Sequence, residues 1–316
     1  MFVQCAKFVE RHHESASRKL SVFGTEKTED TVPLAKMNLA LHGLSGDIRQ
    51  ANSYYEDPHH AVGAFDYVMA NPPFNVDKIK KEQLAGDRRF PFGLPKADNG
   101  NYLWIQQFYA ALAPKGRAGF VMANSASDAG NSEKEIRKQI IQTGTVDVMI
   151  AISPNFFYTV TLPVTLWFFD KAKISTPPRE DTMLFIDARH IYNQIDRAHR
   201  DFTPAQIEFL ANIVRLYRGE DVETKDGSNA LLAENFANGT YEDVAGLCKV
   251  ATRSEIEAQG WSLNPVRYVG SAVVEDDDED FAEKLGALYN EFTQLSNEAE
   301  VLRAKVDAAV QGILGA

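Results

Sequence analysis

The stretch Phe65-Asp66-Tyr67-Val68-Met69-Ala70-Asn71-Pro72-Pro73-Phe74 decides how the chain is read. A β-prone run is stopped at once by an amide and two prolines. Proline has no backbone donor and pushes its predecessor toward extended geometry, so no strand continues through Asn71-Pro72-Pro73. Working outward, apolar spacing predicts a helix from Phe2 to about Ala16, and Leu20 to Gly24 reads as a short buried strand. A helix from Thr31 to Leu41 then ends near Gly43, and a strand runs from Ile48 to Asn52. Residues 76–99 are polar and loop-like. Beyond them come a helix from Asn101 to Leu112 closed by Pro114-Lys115-Gly116, a strand from Arg117 to Ala123 and a helix from Glu133 to Gln142. Strands follow from Val146 to Ile152 and from Leu162 to Phe169. Strands alternating with helices indicate an α/β domain around a largely parallel sheet, ending near Asp187.

Residues 188–274 read as short helices and loops, with a helix start at Phe202-Thr203-Pro204-Ala205. Glu275 to Asp280 is an unbroken acidic run, expected as a solvated linker. It opens a helix with apolar residues at Phe281, Leu285, Leu288, Phe292, Leu295, Ala299, Leu302, Val306, Ala309 and Ile313, the alternating spacing of a helix that packs along another helix. The expected division is 1–187, 188–274 and 275–316.

Composition bounds the function. A chain of 316 residues with 44% hydrophobic content can bury a substantial core. No apolar stretch is long enough to cross a bilayer. Met1-Phe2-Val3-Gln4-Cys5-Ala6-Lys7 lacks the ordered regions of a signal peptide, and the distant Cys5 and Cys248 offer no ligand pair, so a reduced, cytoplasmic protein is expected. The seven histidines show no metal-ligand spacing, so no metal site is expected. A net charge of −11 argues against a protein that holds DNA alone through a general basic field. DNA remains open as a substrate if a local basic patch or a partner supplies the phosphate contacts.

The tetrapeptide Asn71-Pro72-Pro73-Phe74 carries the chemistry. In open α/β sheets, ligands bind outside the carboxyl ends of the strands. An exocyclic amine such as adenine N6 is a poor nucleophile while its lone pair is conjugated with the ring. The Asn71 side chain and the Pro72 carbonyl are two acceptors able to hold both amine hydrogens and favour an sp3-like nitrogen. Pro72 and Pro73 stiffen the backbone so that both stay aimed, and Phe74 offers a ring to stack on a flipped base. The competing reading is a proline-rich turn with Phe74 in the core; the strand before it and the aromatic fourth position favour the site.

Phe65 to Asn75 closely resembles the catalytic motif of amino-methyltransferases that use S-adenosylmethionine. Its surroundings resemble the modification subunit of type I restriction–modification systems, a family of DNA adenine-N6 methyltransferases. The likeness includes Leu34-Ala35-Lys36-Met37-Asn38-Leu39-Ala40-Leu41-His42-Gly43 before the motif. After it come Lys96-Ala97-Asp98-Asn99-Gly100-Asn101-Tyr102-Leu103-Trp104-Ile105-Gln106 and Glu133-Lys134-Glu135-Ile136-Arg137-Lys138. It runs from the first residue to about Lys171, with a looser match to the last helix. The resemblance implies a Rossmann-like methyltransferase sheet with a C-terminal helical region. It also implies that the family's glycine-rich first motif and first strand are missing ahead of Met1, which makes impaired cofactor binding the expectation.

S-adenosylmethionine is then expected across the carboxyl ends of the first strands, with Glu26 on the ribose hydroxyls and Asn52, or its rival Asp47, at the cofactor adenine. A helix-start acid for Glu26 and turn residues for the other two are the plainer alternatives. Lys78, Lys80, Lys81, Arg88 and Arg89 are expected near DNA phosphates, against the alternative of a solvated face shared with Asp77, Glu82 and Asp87. Phe156, Phe157 and Tyr158 offer a second wall for a base, Phe157 foremost, although such aromatics are more often core. The partners implied are double-stranded DNA, a specificity subunit docked on the heptad helix, and a restriction subunit. Two further readings stand beside this one: a protein glutamine-N5 methyltransferase, which shares the motif's logic, and a truncated non-catalytic product that only binds the specificity subunit.

Overall fold

The computed structural model describes residues 1–157, 161–271 and 281–315. Two short helices, α1 (Phe2–Arg11) and α2 (Ala16–Lys19), lead into β1 (Val22–Glu26), α3 (Thr31–Leu41) and β2 (Gly46–Gln50). β1 and β2 pair in parallel, with α3 as the crossover between them, and form a two-stranded sheet of their own. α3 lies close on this pair. A Cβ on Gly46 would come within 2.8 Å of Leu39 Cδ1 and 3.1 Å of Val22, so a larger residue there would push on α3. The helix ends at Gly43, whose φ of 67° is the left-handed geometry glycine adopts at little cost.

The larger sheet begins with β3 (Phe65–Ala70) and continues through α4 (Asn101–Ala111), β4 (Leu112–Ala123), α5 (Asn131–Gln142), β5 (Val146–Ile152), β6 (Val164–Asp170) and β7 (Thr182–Asp187). A hairpin of β8 (Asn193–Gln194) and β9 (Arg200–Asp201) follows, then α6 (Pro204–Arg218), α7 (Asn229–Asn235), β10 (Cys248–Thr252), α8 (Arg253–Ala258) and α9 (Val266–Val269). The strand order is β10-β7-β5-β6-β4-β3. β3 pairs parallel to β4 and β5 parallel to β7, whereas β6 is antiparallel to both its neighbours and β10 is antiparallel to β7. Thus β3, β4, β5 and β7 point one way, and their carboxyl ends share one edge of the sheet. β3 is an edge strand, with Tyr67 75% and Met69 51% exposed. Among the described residues β1 and β2 pair only with each other and do not join this sheet.

Two expectations about elements change. The strand expected from Arg117 begins at Leu112, because Pro114-Lys115-Gly116 makes an irregularity inside it rather than a turn before it. The pairing jumps from Phe65↔Leu112 to Tyr67↔Arg117, and Gly116 approaches so closely that a Cβ would lie 2.7 Å from the Phe65 carbonyl oxygen. The boundary expected at Asp187 is not a structural one either. β10, well past it in sequence, adds a strand beside β7, and residues 1–272 form one compact unit.

The core lies on both faces of the large sheet. β5 is buried along its whole length, as a strand covered on two sides must be. On one face Phe120, Met149, Trp167, Phe169 and Phe185 meet α4, α5 and the segment around Leu263. On the other, Val148, Ile150 and Leu184 meet Phe209 and Ile213 of α6. α6 is well delimited: Thr203 and Gln206 form a reciprocal cap, Pro204 opens the helix, and Gly219 closes it at φ 70°. At the sheet edge opposite the carboxyl ends, fully buried Asp147 is gripped by Arg218 (2.6 Å) and Arg179 (3.1 Å). Buried Lys173 lies 3.9 Å from the same carboxylate and donates to the Val146 and Thr182 carbonyls.

The second unit is α10 (Phe281–Leu314). Leu285, Leu288, Phe292, Leu295, Leu302 and Val306 of its heptad positions are all more than half exposed. The acidic run from Glu275 to Asp280 lies outside the described residues, as does Tyr158.

Candidate active site

The expected motif sits at the carboxyl end of β3. Ala70 is the last residue paired to β4, and Asn71 follows directly into an open cleft. The cleft measures about 610 Å³ and is walled by β1 residues Phe23 to Glu26, by Met69 to Pro73, by Ser53 and by Trp104 and Phe108 of α4. Asn71 is exposed and Pro72 buried. Neither the Asn71 amide nor the Pro72 carbonyl has a hydrogen-bond partner among the described residues. Two acceptors held on a stiff backbone at a cleft are therefore free to meet a ligand.

Phe74 is not among the residues that line this cleft. It is half-buried against the second core cluster, which also takes Phe156, Phe157 and Phe202 at its margin. Phe156 and Phe202 pack with ring centroids 4.6 Å apart. Phe74 and Phe157 both pack at the margin of this cluster.

The chain after the motif is shaped tightly. Asn75 and Lys78 both adopt positive φ (56° and 57°). The amide of Asn75 donates to Asn101 Oδ1 (2.9 Å), and its own Oδ1 accepts from Asn99 Nδ2 (3.0 Å) and Asn101 Nδ2 (2.9 Å). Gly100 N donates to the Val76 carbonyl (2.8 Å), and Lys78 N to Asp98 (2.9 Å).

Glu26 lines the cleft at the end of β1, and one of its oxygens accepts from the Thr31 hydroxyl at 3.2 Å. Thr25 and Ser53 join it on the same wall, their hydroxyls 2.7 Å apart. Asn52 follows β2, where its side chain caps a local turn by accepting from Tyr54 N at 3.2 Å. A carboxylate and hydroxyl groups beside an aromatic wall suit a ribose and a flat ring.

Asp47 does not join this group. It stands near the amino end of β2, and its carboxylate is held bidentately by Arg49 at 2.6–3.0 Å. The Arg49 guanidinium, with His59 behind it, keeps that carboxyl below the usual range. Arg89 is also corrected. Its guanidinium is buried and donates to the carbonyls of Ser53 (2.9 Å), Tyr54 (3.2 Å) and Glu56 (2.8 Å) while gripping Asp87 at 2.6 Å. No donor faces solvent, so it folds the 53–57 loop rather than meeting phosphate. Lys78, Lys80 and Arg88 are exposed, and Lys81 is half-buried with its ammonium on the Ala97 carbonyl.

Sequence reading missed Thr25, Ser53, Trp104, Phe108 and Asn101. Only the pair Trp104 and Phe108, four residues apart on one helix face and stacked at 5.9 Å, left a periodic signal.

A family model described as N-6 DNA Methylase matches residues 1–277. The type I restriction enzyme MjaIX methylase subunit of Methanocaldococcus jannaschii is 39% identical over 296 residues, covering 91% of this chain and 49% of that protein. The HindI methylase subunit of Haemophilus influenzae is 35% identical over 316 residues, covering 99% and 65%. The chain thus spans about half to two thirds of the length of these relatives. A solved type I restriction-modification system methyltransferase subunit from Streptococcus thermophilus shares the fold, with a TM-score of 0.69 at 24% identity over 84% of this chain and 51% of that one. The EcoKI M protein does so with a TM-score of 0.55 at 20% identity, over 89% and 60%. With the motif at the carboxyl edge of a matching sheet and the family model spanning residues 1–277, the chain belongs to the N-6 DNA methylase family.

Proposed function

We propose that this chain forms the catalytic part of a DNA adenine-N6 methyltransferase, the modification subunit of a type I restriction–modification complex. The observation that carries it is the pair of unpartnered acceptors, Asn71 Oδ1 and the Pro72 carbonyl, at the mouth of the cleft between β1 and β3. S-adenosylmethionine supplies the methyl group when bound. Glu26 accepts its ribose hydroxyls, and Asn52 and Ser53 lie toward its adenine. The target amine donates both hydrogens to Asn71 and Pro72, which turns its lone pair out of the ring and toward the cleft. Neither acceptor has to be a strong base. Phe74 and Phe157 hold the flipped base from the aromatic margin.

Lys78, Lys80, Lys81 and Arg88 are proposed to meet DNA phosphates. With a net charge of −11, sequence reading falls to a specificity subunit, docked on the exposed apolar face of α10, and cleavage to a restriction subunit. The glutamine-N5 reading is weaker, because both relatives described are type I methylase subunits. The test is transfer of labelled methyl from S-adenosylmethionine to duplex DNA by the assembled complex. Asn71→Ala is expected to abolish transfer, a loss of at least about 10²-fold, with assembly intact. Undiminished transfer by that variant, or label found on protein glutamine, overturns the assignment.

A further inference from the structure

We infer that Asn101 is a positioning residue for the Asn71–Phe74 turn, acting through Asn75. The inference rests on the proposed methyl transfer. Asn75 follows Phe74 directly and sits at φ 56°, a left-handed conformation that costs a non-glycine residue energy unless its surroundings hold it. Those surroundings are specific. Asn101 uses both ends of its amide on this one residue, accepting from Asn75 N and donating to Asn75 Oδ1, each at 2.9 Å. Asn99 adds a second donor to the same oxygen at 3.0 Å and also accepts from Asn101 N at 2.8 Å, which orients Asn101 in turn.

Asn101 is 3% exposed, yet it makes no bond that supports the sheet. A buried amide in the first turn of a helix ordinarily serves that helix. This one is turned outward onto the loop that leaves the motif. Its platform is rigid: α4 buries Tyr102, Leu103 and Ile105 completely, and Gly100 packs so closely that a Cβ would lie 2.7 Å from both Ile79 and the Tyr54 hydroxyl. Pro72 and Pro73 stiffen the turn from within, Phe74 packs against the second core cluster, and the residue that leaves the turn is held by Asn101 and Asn99. The clasp therefore sets the direction from which Phe74 and the Pro72 carbonyl approach the substrate. Misplacement of such groups by about 1 Å costs on the order of 10²-fold in rate.

The experiment is a double-mutant cycle of Asn75→Ala and Asn101→Ala in the assembled methyltransferase. It reads kcat, KM for S-adenosylmethionine and for DNA, melting temperature, and hydrogen exchange of the residue-75 amide. Each single variant is expected to lower kcat by about ten- to a hundred-fold with both KM values within about two-fold. The double variant should be no slower than the worse single one, since the two residues act as one unit. Asn101→Asp keeps an acceptor for the Asn75 amide but loses the donor, so its kcat and amide protection should fall between wild type and Asn101→Ala. Where Asn101→Ala fails to fold, Asn99→Ala, which at a half-buried position removes the bond to Asn75 Oδ1 and the one from Asn101 N, is expected to lower kcat less but in the same pattern. Wild-type kcat in the alanine variants, or losses that multiply in the double, overturn the inference. A wild-type complex that transfers no methyl group sinks the functional reading itself. In that case the residue-75 amide still decides the clasp: unchanged exchange in Asn101→Ala refutes it.

Discussion

Replacing Arg89 by alanine separates a structural arginine from a functional one only a residue away. Arg88 is exposed, whereas the Arg89 side chain is 8% exposed with six donor–acceptor contacts of 2.6–3.2 Å to three carbonyls and Asp87. Truncation strands those carbonyls and leaves Asp87 without its cation. Hydrogen bonds to a charged group contribute about 1.5–3 kcal/mol each, but they do not add, and water entering the adjoining cavity of about 160 Å³ recovers part of the loss. Breaking one side of a buried charge pair costs about 3–5 kcal/mol, which we take as the expected destabilisation. At roughly 2–3 °C per kcal/mol for a unit of this size, the melting temperature should fall by roughly 6–15 °C. Arg89→Lys keeps the charge but not the planar fork, and should fall between. Arg88→Ala should change stability by no more than about 0.5 kcal/mol. Calorimetry or circular dichroism reads the first effect. The second readout is the salt dependence of DNA binding by the assembled complex: Arg88→Ala should reduce the log–log slope by about one, and Arg89→Ala should leave it unchanged. An Arg89→Ala protein of wild-type stability with a reduced salt slope would refute the reasoning and restore Arg89 to the DNA surface.

Four further outcomes follow from the same packing and electrostatics. Burial pulls the Lys173 ammonium down to about 8 from its ordinary 10.5, so between those values the folded chain binds fewer protons than the unfolded chain. Stability should therefore rise as pH rises through that window, and Lys173→Met should flatten the rise in urea titrations. Burial pushes the Asp147 carboxyl up, but Arg218, Lys173 and Arg179 together outweigh it and hold the group below its usual range. Its contribution is full above the ordinary carboxylate range and is lost on acidification, so Asp147→Asn should lose stability at pH 7 and show a shallower acid transition. Gly46→Ala should cost about 1–3 kcal/mol by forcing α3 off β1 and β2, seen as faster exchange of the β1 amides. Leu288→Asp with Phe292→Asp should abolish co-purification with the specificity subunit at an unchanged melting temperature for residues 1–272; retained co-purification would refute docking on α10.

What was legible in the sequence was whatever local chemistry decides. The stop at Asn71-Pro72-Pro73 follows from proline's missing donor, the helix from Thr31 to Leu41 from its apolar spacing and terminal glycine, and the strand from Val146 to Ile152 from its length and β-branched content; all three stand at the expected residues. The α/β alternation placed the motif at a carboxyl end, where the cleft lies. Tertiary structure decided what depends on partners far apart in sequence. Antiparallel insertion of β6 and addition of β10 are choices of pairing, to which a run of apolar residues is indifferent. Arg88 and Arg89 are alike as letters, and only the carbonyls of residues 53, 54 and 56 tell them apart. Asp47 and Asn52, rivals in the sequence, differ in the bonds they make: Arg49 holds the Asp47 carboxylate, and Asn52 Oδ1 accepts from Tyr54 N. The motif was written in ten consecutive residues, but its aim is set by Asn101, because a turn can be stiffened from within and oriented only by what it rests upon.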